Sequence, residues 1–303
     1  MDIGTRLAEL RTLILRHASR GSEGGDGGAG LAFSVVRAPT APTSSIAEPV
    51  LALVAQGVKR LAVGEQVFDY GAGEYVVVTV DLPVTGFFAE ASEEAPFLGV
   101  GLDLRPEIVA SLLLDQTAPA GAGAARPGIG VARAPAGLLD AVLRRVRLLD
   151  EPADARVLQP LVEREIMWRL LASPQGAIVR QIGLADSSLT HVGRTIRWIR
   201  THYAEPFRVE ELADQAGLST SAYHRQFRAV TTMSPIQFQK RIRLQQARLL
   251  LASGAENATG AAYSVGYDNL SQFTREYRRE FGMTPGRDAA GLRPVTVAAP
   301  GLP

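Results

Sequence analysis

The chain has 303 residues, 46% of them hydrophobic and 21% charged, a formal net charge of +1 and no cysteine. That length allows two domains with proper cores, and the lack of thiols excludes disulfides, thiolate metal ligands and thiol redox sensing. No apolar run approaches the ~20 residues that span a bilayer, so a soluble, cytoplasmic chain without a membrane partner is expected.

Residues 1–18 read as a charged amphipathic helix without a signal-peptide core, and Arg20–Gly30 as a mobile glycine-rich loop; together 1–30 form an amino-terminal appendage. From Leu31 to about Asp103 the pattern turns to strands. Val50–Val54, Val58–Val63, Glu65–Tyr70, Tyr75–Leu82 and Phe97–Leu102 are short, β-rich and separated by glycine or proline. Val63-Gly64-Glu65 reads as a hairpin tip and Gly71-Ala72-Gly73 as a second turn. Strands at this spacing suggest a barrel or jelly roll.

Ala118–Pro135, rich in proline, glycine and alanine, reads as a loop. Leu138–Leu149 and Ala155–Ala172 are amphipathic helices that either pack on the barrel or form a self-complementary dimer contact. This domain is drawn over 31–174, followed by a linker, 175–191, and a helix from Val192 to Tyr203 that opens a second domain, 192–288.

Within that second domain one helical unit is written twice. The first copy runs from Leu212 through Gly217 and Ser219 to Tyr223-His224-Arg225-Gln226-Phe227-Arg228 and closes on Met233-Ser234-Pro235. The second runs from Ala261 through Gly266 and Asp268 to Phe273-Thr274-Arg275-Glu276-Tyr277-Arg278 and closes on Met283-Thr284-Pro285. Gly217 pairs with Gly266 at an offset of 49, and Pro235 with Pro285 at 50. Each copy is a short helix ended by a glycine turn and a second helix opened by a polar cap, Ser219 or Asp268, which is the helix-turn-helix pattern. Gly260, inside the first helix of copy two, costs roughly 1 kcal/mol against alanine and makes that unit the weaker one.

Tyr223 and Phe227, like Phe273 and Tyr277, are four residues apart and share one buried stripe. The opposite faces carry Thr220, Ser221, His224, Arg225 and Arg228 in copy one and Leu270, Ser271, Thr274, Arg275 and Arg278 in copy two. Arginine can fork onto O6 and N7 of guanine, hydroxyls can meet bases or phosphates, and Leu270 can touch a thymine methyl. Arg225 and Arg275 are therefore assigned as base readers and Arg228 and Arg278 as phosphate binders, with His224 left open between a DNA contact and a solvated place. His17, His191 and His202 read as surface or helix-end residues.

Ser234–Ser253 reads as one long connecting helix with Pro235 in its first turn, kept basic by Lys240, Arg241, Arg243 and Arg248. Such a connector would let the two units enter successive major-groove segments about one turn, ~34 Å, apart. Residues 289–303 carry no periodicity and read as a disordered tail.

These residues resemble the AraC family of bacterial transcription regulators, whose DNA-binding domain joins two helix-turn-helix units by a long helix. The resemblance covers about Arg194 to Arg287 and extends to Gly266-Tyr267 and Phe281-Gly282-Met283-Thr284-Pro285. A second stretch, about Phe33 to Met167, resembles the amino-terminal domain of one AraC subgroup, through Glu48-Pro49-Val50-Leu51-Ala52-Leu53-Val54-Ala55-Gln56-Gly57, Phe68-Asp69-Tyr70-Gly71-Ala72-Gly73-Glu74-Tyr75 and Asp81-Leu82-Pro83-Val84. The resemblance implies an α+β protein of two domains: an amino-terminal cupin-like β-barrel with flanking helices and a carboxy-terminal all-α double helix-turn-helix domain. It implies double-stranded DNA as partner, a small-molecule effector and homodimerisation through the barrel, and RNA polymerase as a further candidate partner, without naming the effector.

Charge agrees with this division. Residues 193–288 hold 14 Lys+Arg against 9 Asp+Glu, a balance of +5, and the rest of the chain 18 against 22, a balance of −4. The rival classes are a cupin-type metal enzyme and a non-specific architectural DNA binder. The first needs converging histidines and a carboxylate, but Ala18 to Thr190 contains no histidine. Glu65, Asp69, Glu74 and Asp81 could offer oxygen to a hard cation but read better as solvating strand residues. No cofactor, metal or catalytic residue is expected. The second rival would not need the long amino-terminal domain. A small, mostly apolar molecule entering the barrel, whose apolar run Tyr75–Val80 and aromatic Phe87 and Phe88 suggest an interior, is the expected effector.

Overall fold

The computed structural model describes residues 2–18, 30–115, 126–184 and 188–292. Most of the Arg20–Gly30 loop, the first part of the Ala118–Pro135 stretch and the tail beyond 292 lie outside the described residues.

Helix α1 (Ile3–Ala18) buries Leu7, Leu10, Leu13 and Ile14, an apolar stripe of helical spacing. His17 continues that stripe, so it is buried, not at the surface: it stacks on Phe33, and its Nε2 lies 3.5 Å from Asp150. Eight strands follow: β1 (Leu31–Val36), β2 (Thr43–Ala47), β3 (Val50–Gln56), β4 (Val58–Val63), β5 (Gln66–Gly71), β6 (Glu74–Val78), β7 (Leu82–Glu90) and β8 (Phe97–Asp103). Helix α2 (Pro106–Leu114) and strand β9 (Ile129–Arg133) come next. The strands form two antiparallel sheets, one ordered β1-β8-β3-β6-β9 and the other β2-β7-β4-β5.

Strand parity explains the near-continuous apolar sequence of β3 and β6. Leu51, Leu53, Ala55, Tyr75 and Val77 face one core, whereas Val54, Val76 and Val78 face the other. The first core is roofed by α1, α2, α3 (Ala136–Arg147), α4 (Pro152–Leu171) and α5 (Gly176–Gly183). The second lies between the sheets and contains Leu61, Val63, Tyr70, Leu82 and Val84 from the smaller one.

Three expectations need correction. The strand read over Tyr75–Leu82 is two strands, because residues 79–81 carry the chain from one sheet to the other; Thr79 turns at that corner, its amide donating to the Gly128 carbonyl at 2.8 Å. Thr79, Val80 and Asp81 are all buried, so burial patterning hides the corner. The Ala118–Pro135 loop contains β9, which pairs with β6 through Val76 opposite Val131. The linker 175–191 contains α5, whose Ile178 and Val179 are buried, and the beginning of α6.

The carboxy-terminal part is helical: α6 (Ser188–Thr201), α7 (Val209–Gln215), α8 (Thr220–Thr231), α9 (Pro235–Ala252), α10 (Ala258–Ser264), α11 (Leu270–Phe281) and α12 (Pro285–Leu292). The last helix runs through Ala289, where the tail was expected to begin, because Asp288 is held inside by Tyr277 and Arg248. Two cores divide these helices. Ile196, Leu212, Tyr223, Phe227, Val230 and Phe238 continue the core between the sheets, while Leu244, Leu251, Ala261, Tyr267, Phe273 and Tyr277 form a separate one. The first helical pair is thus fused to the barrel, and the second is joined through α9.

Candidate nucleic-acid interface

In the first unit α7 leads through Gly217, at φ 67°, into α8, whose cap Ser219 accepts the Ala222 amide. The second unit repeats this with α10, Gly266 at φ 85°, and α11. Both glycines occupy the left-handed region that a residue with a side chain adopts at a cost. The cap of α11 is Asn269, not Asp268: its side-chain oxygen accepts the Gln272 amide at 3.0 Å. The sequence offered adjacent Asx residues, and only the backbone entry angle decides which carboxamide or carboxylate faces the free amides. Gly260 stands in the first turn of α10, where Asn257 Oδ1 accepts its amide at 2.9 Å.

The aromatic stripes are buried as expected. Tyr223 and Phe227 rings are 5.5 Å apart, as are Phe273 and Tyr277. Each unit carries one hydroxyl on this stripe, at non-equivalent positions: Tyr223 donates to Thr195 on α6 at 2.9 Å and Tyr277 to Asp288 on α12 at 2.7 Å. Burial pushes both phenols above their ordinary pKa, so both remain donors.

Opposite those stripes, Ser221, His224, Arg225 and Arg228 on α8 are exposed and Thr220 is half-buried. On α11 Leu270, Ser271, Arg275 and Arg278 are exposed and Thr274 is half-buried. Each helix therefore presents five of the chosen residues on one outward face. Arg225, Arg228, Arg275 and Arg278 have no ion-pair partner among the described residues. Arg228 stands beside the barrel, where it lines a cleft shared with Gly64, Glu65 and Thr232.

The basic residues of α9 behave differently. Lys240 Nζ lies 2.8 Å from Glu276, Arg241 Nε 2.7 Å from Glu280 and Arg248 Nε 2.9 Å from Asp288. Arg243 donates to the carbonyls of Tyr203 and Gly266 at 2.6 and 2.7 Å. Lys240, Arg241 and Arg248 thus bind the connector to the second unit as ion pairs, whereas Arg243 is held by backbone carbonyls on both sides of it.

Glu276 was not singled out from the sequence, yet it anchors α11. Burial alone would raise its pKa, but hydrogen bonds from Lys240, Tyr267 and Gln272 overcome this and hold the carboxyl below the ordinary glutamate value. The equivalent residue in α8 is Gln226, whose buried Oε1 has no hydrogen-bond partner among the described residues. An acid among polar neighbours at mid-helix was the available signal, and nothing local distinguished it from a solvated one.

The carboxylates weighed as cation ligands are dispersed. Asp69 forks onto Arg60, Glu74 accepts the Gly71 amide and Asp81 pairs with Arg200 at 2.9 Å. Asp81 joins Glu48 in holding Arg200 of α6, which links barrel and helical domain.

Comparison with known proteins agrees with this division. A model of the AraC-type transcriptional regulator N-terminus matches residues 29–178, and a helix-turn-helix domain model matches residues 212–290. The HTH-type transcriptional activator RhaS of Escherichia fergusonii is 31% identical over 159 residues, which are 50% of this chain and 56% of RhaS. That of Citrobacter koseri is 30% identical over 159 residues, with the same 50% and 56% covered. The chain spans about half the length of the curated relatives that it matches. Among solved structures, ToxT from Vibrio cholerae superposes with a TM-score of 0.55 at 9% identity, covering 86% of this chain and 98% of ToxT. ToxT with a bound unsaturated fatty acid gives 0.51 at 8% identity, covering 86% and 93%. At such identities the likeness is one of fold.

Proposed function

The chain belongs to the AraC-type family of transcriptional regulators, and we propose from that premise that it reads DNA sequence with α8 and α11 in two successive major-groove segments. The observation that carries this reading is the outward pair Arg225 and Arg275, exposed at equivalent repeat positions without an internal partner. Arg225 and Arg275 read bases, Arg228 and Arg278 take phosphates, and Thr220, Ser221, His224, Leu270, Ser271 and Thr274 complete the two faces. Selection of bound DNA from a random pool tests this. Recovery of a site with two conserved blocks about one helical turn apart is the expected result; recovery of no consensus would leave only a non-specific binder.

The amino-terminal domain supplies control. A small molecule held between the sheets would act on DNA reading if it favours one arrangement of barrel and helices over another, as the fatty acid seen in ToxT suggests for a protein of this fold. Homodimerisation is the second part of this reading. Helix α4 leaves Val157, Leu158, Leu161 and Trp168 exposed, a side of the helix that the barrel does not use, and two copies of one such helix make a self-complementary contact. Leu161→Glu should convert a dimer to a monomer in sedimentation equilibrium; an unchanged mass would remove α4 from the interface. A partnership with RNA polymerase would show as DNA-dependent activation of transcription in a purified system.

A further inference from the structure

Between the two sheets lies a cavity of about 450 Å³, a size usual for small-ligand sites. Its walls include Thr43 and Ser45 of β2, Lys59 of β4, Tyr70 of β5, Val78 of β6 and Phe88 of β7. Every lining residue is apolar, hydroxylic or glycine except Lys59.

The placing of Lys59 is specific. It stands opposite Tyr70 on one side and Phe88 on the other, so three strands place a lysine between two aromatic residues at one level of the cavity wall. Its Nζ lies 4.9 Å from the centre of the Phe88 ring, a distance at which the ring face attracts a cation. The β4–β7 ladder shifts register between Val58 and Lys59, an irregularity of the kind that re-aims a strand side chain. Thr40 closes the same level, its hydroxyl oxygen accepting the Phe88 amide at 3.1 Å.

No carboxylate among the described residues pairs with Lys59, and burial alone lowers its pKa from the ordinary lysine value. The adjacent Arg60 shows the contrast: it points to the outer face and is held by both oxygens of Asp69 at 2.6 Å. A half-buried ammonium against largely apolar walls without an anion is less favourable than a paired one, and a ligand that brings the anion removes that cost. One lining cation matches one negative charge, whereas a dianionic phosphate would bury charge uncompensated.

The geometry points to an organic monocarboxylate with an apolar body as the ligand of this cavity, its carboxylate taken by Lys59 Nζ and the Tyr70 hydroxyl. The inference rests on the barrel being the effector-binding part of the protein. The cavity also touches the connector helix: Gln245 of α9 donates through Nε2 to the carbonyls of Ser45 at 3.2 Å and Val84 at 3.4 Å, and both residues line the cavity. Filling the cavity therefore acts on the strands that hold α9.

The test is calorimetric titration of the full chain with octanoate and with 1-octanol, DNA binding being measured on the same ligand-free preparation. Octanoate is expected to bind at least about tenfold tighter than octanol. Lys59→Met should abolish that preference while leaving octanol binding as it was, and Tyr70→Phe, which keeps the ring, should weaken octanoate a few-fold. Equal binding of acid and alcohol would overturn the carboxylate assignment and leave an apolar effector. Absence of binding by both, with DNA binding intact, would overturn the ligand site and leave the DNA reading standing. If Lys59→Met fails to unfold cooperatively, the wild-type pair of titrations and Tyr70→Phe still decide.

Discussion

The amide of Gly128 donates to the carbonyl of Val230 at 2.8 Å, which ties the start of the last barrel strand to the end of α8. Around this bond Thr232 Oγ1 donates to the Val63 carbonyl at 3.2 Å, and Val80, Ile129, Val230 and Ile196 share one core. A barrel-to-helix contact of this kind makes α8, and not α11, the outward helix that the amino-terminal domain holds directly.

A side chain at residue 128 should loosen that hold. The Cβ of a substituent would lie 2.7 Å from Val80 Cγ2 and 3.2 Å from the Val230 carbonyl oxygen. Gly128→Val should cost about 1–3 kcal/mol by overpacking. Hydrogen exchange should speed up at the carboxy-terminal end of α8 and remain unchanged in α11.

The two turn glycines should differ although they are repeat equivalents. Alanine at either position adopts a left-handed conformation at about 1–2 kcal/mol. At Gly217 no other group among the described residues lies within 4 Å of that Cβ, whereas a Cβ on Gly266 would overlap the Ala204 carbonyl oxygen. Chemical denaturation should therefore rank Gly266→Ala as clearly the more destabilising, and equal losses would contradict the close approach.

Acid should uncouple α11 from α9. Because the folded-state pKa of Glu276 is depressed, its contribution is present above the unfolded glutamate value, about 4.3, and is lost as pH falls through the lower folded value. Glu276→Gln should flatten the acid side of the stability curve. Glu276→Ala should cost about 1–3 kcal/mol, since it leaves Tyr267 and Lys240 without their acceptor.

The reading faces should divide by contact type. Arg225→Ala or Arg275→Ala should relax preference at one base pair and cost about 1–3 kcal/mol on the selected site. Arg228→Ala or Arg278→Ala should weaken specific and random DNA alike and reduce the salt slope by about one. Equal losses on both DNAs for all four would remove the assignment of readers.

The helical repeat was legible because its signals are local. A glycine at each turn, polar caps and aromatic residues four apart act within one or two helical turns, so Tyr223, Phe227, Phe273 and Tyr277 are buried where their spacing puts them. The strands were legible where glycine and proline punctuate them, as at Gly64 and Gly73, both at positive φ. Strand β9 escaped because a five-residue segment containing Gly130 has little propensity of its own and exists through pairing with β6.

By itself, then, the sequence determined two domains, a duplicated helix-turn-helix and the residues on its two outward faces, since each follows from periodicity and capping within a short stretch. Only the tertiary structure decided that the first unit shares its core with the barrel and the second does not. The same holds for the α9 cations paired with Glu276, Glu280 and Asp288, and for Lys59, half-buried with no carboxylate partner among the described residues. These depend on groups up to about 200 residues apart, as between Gln245 and Ser45, and partnership at such range depends on how whole elements pack, which no local pattern encodes.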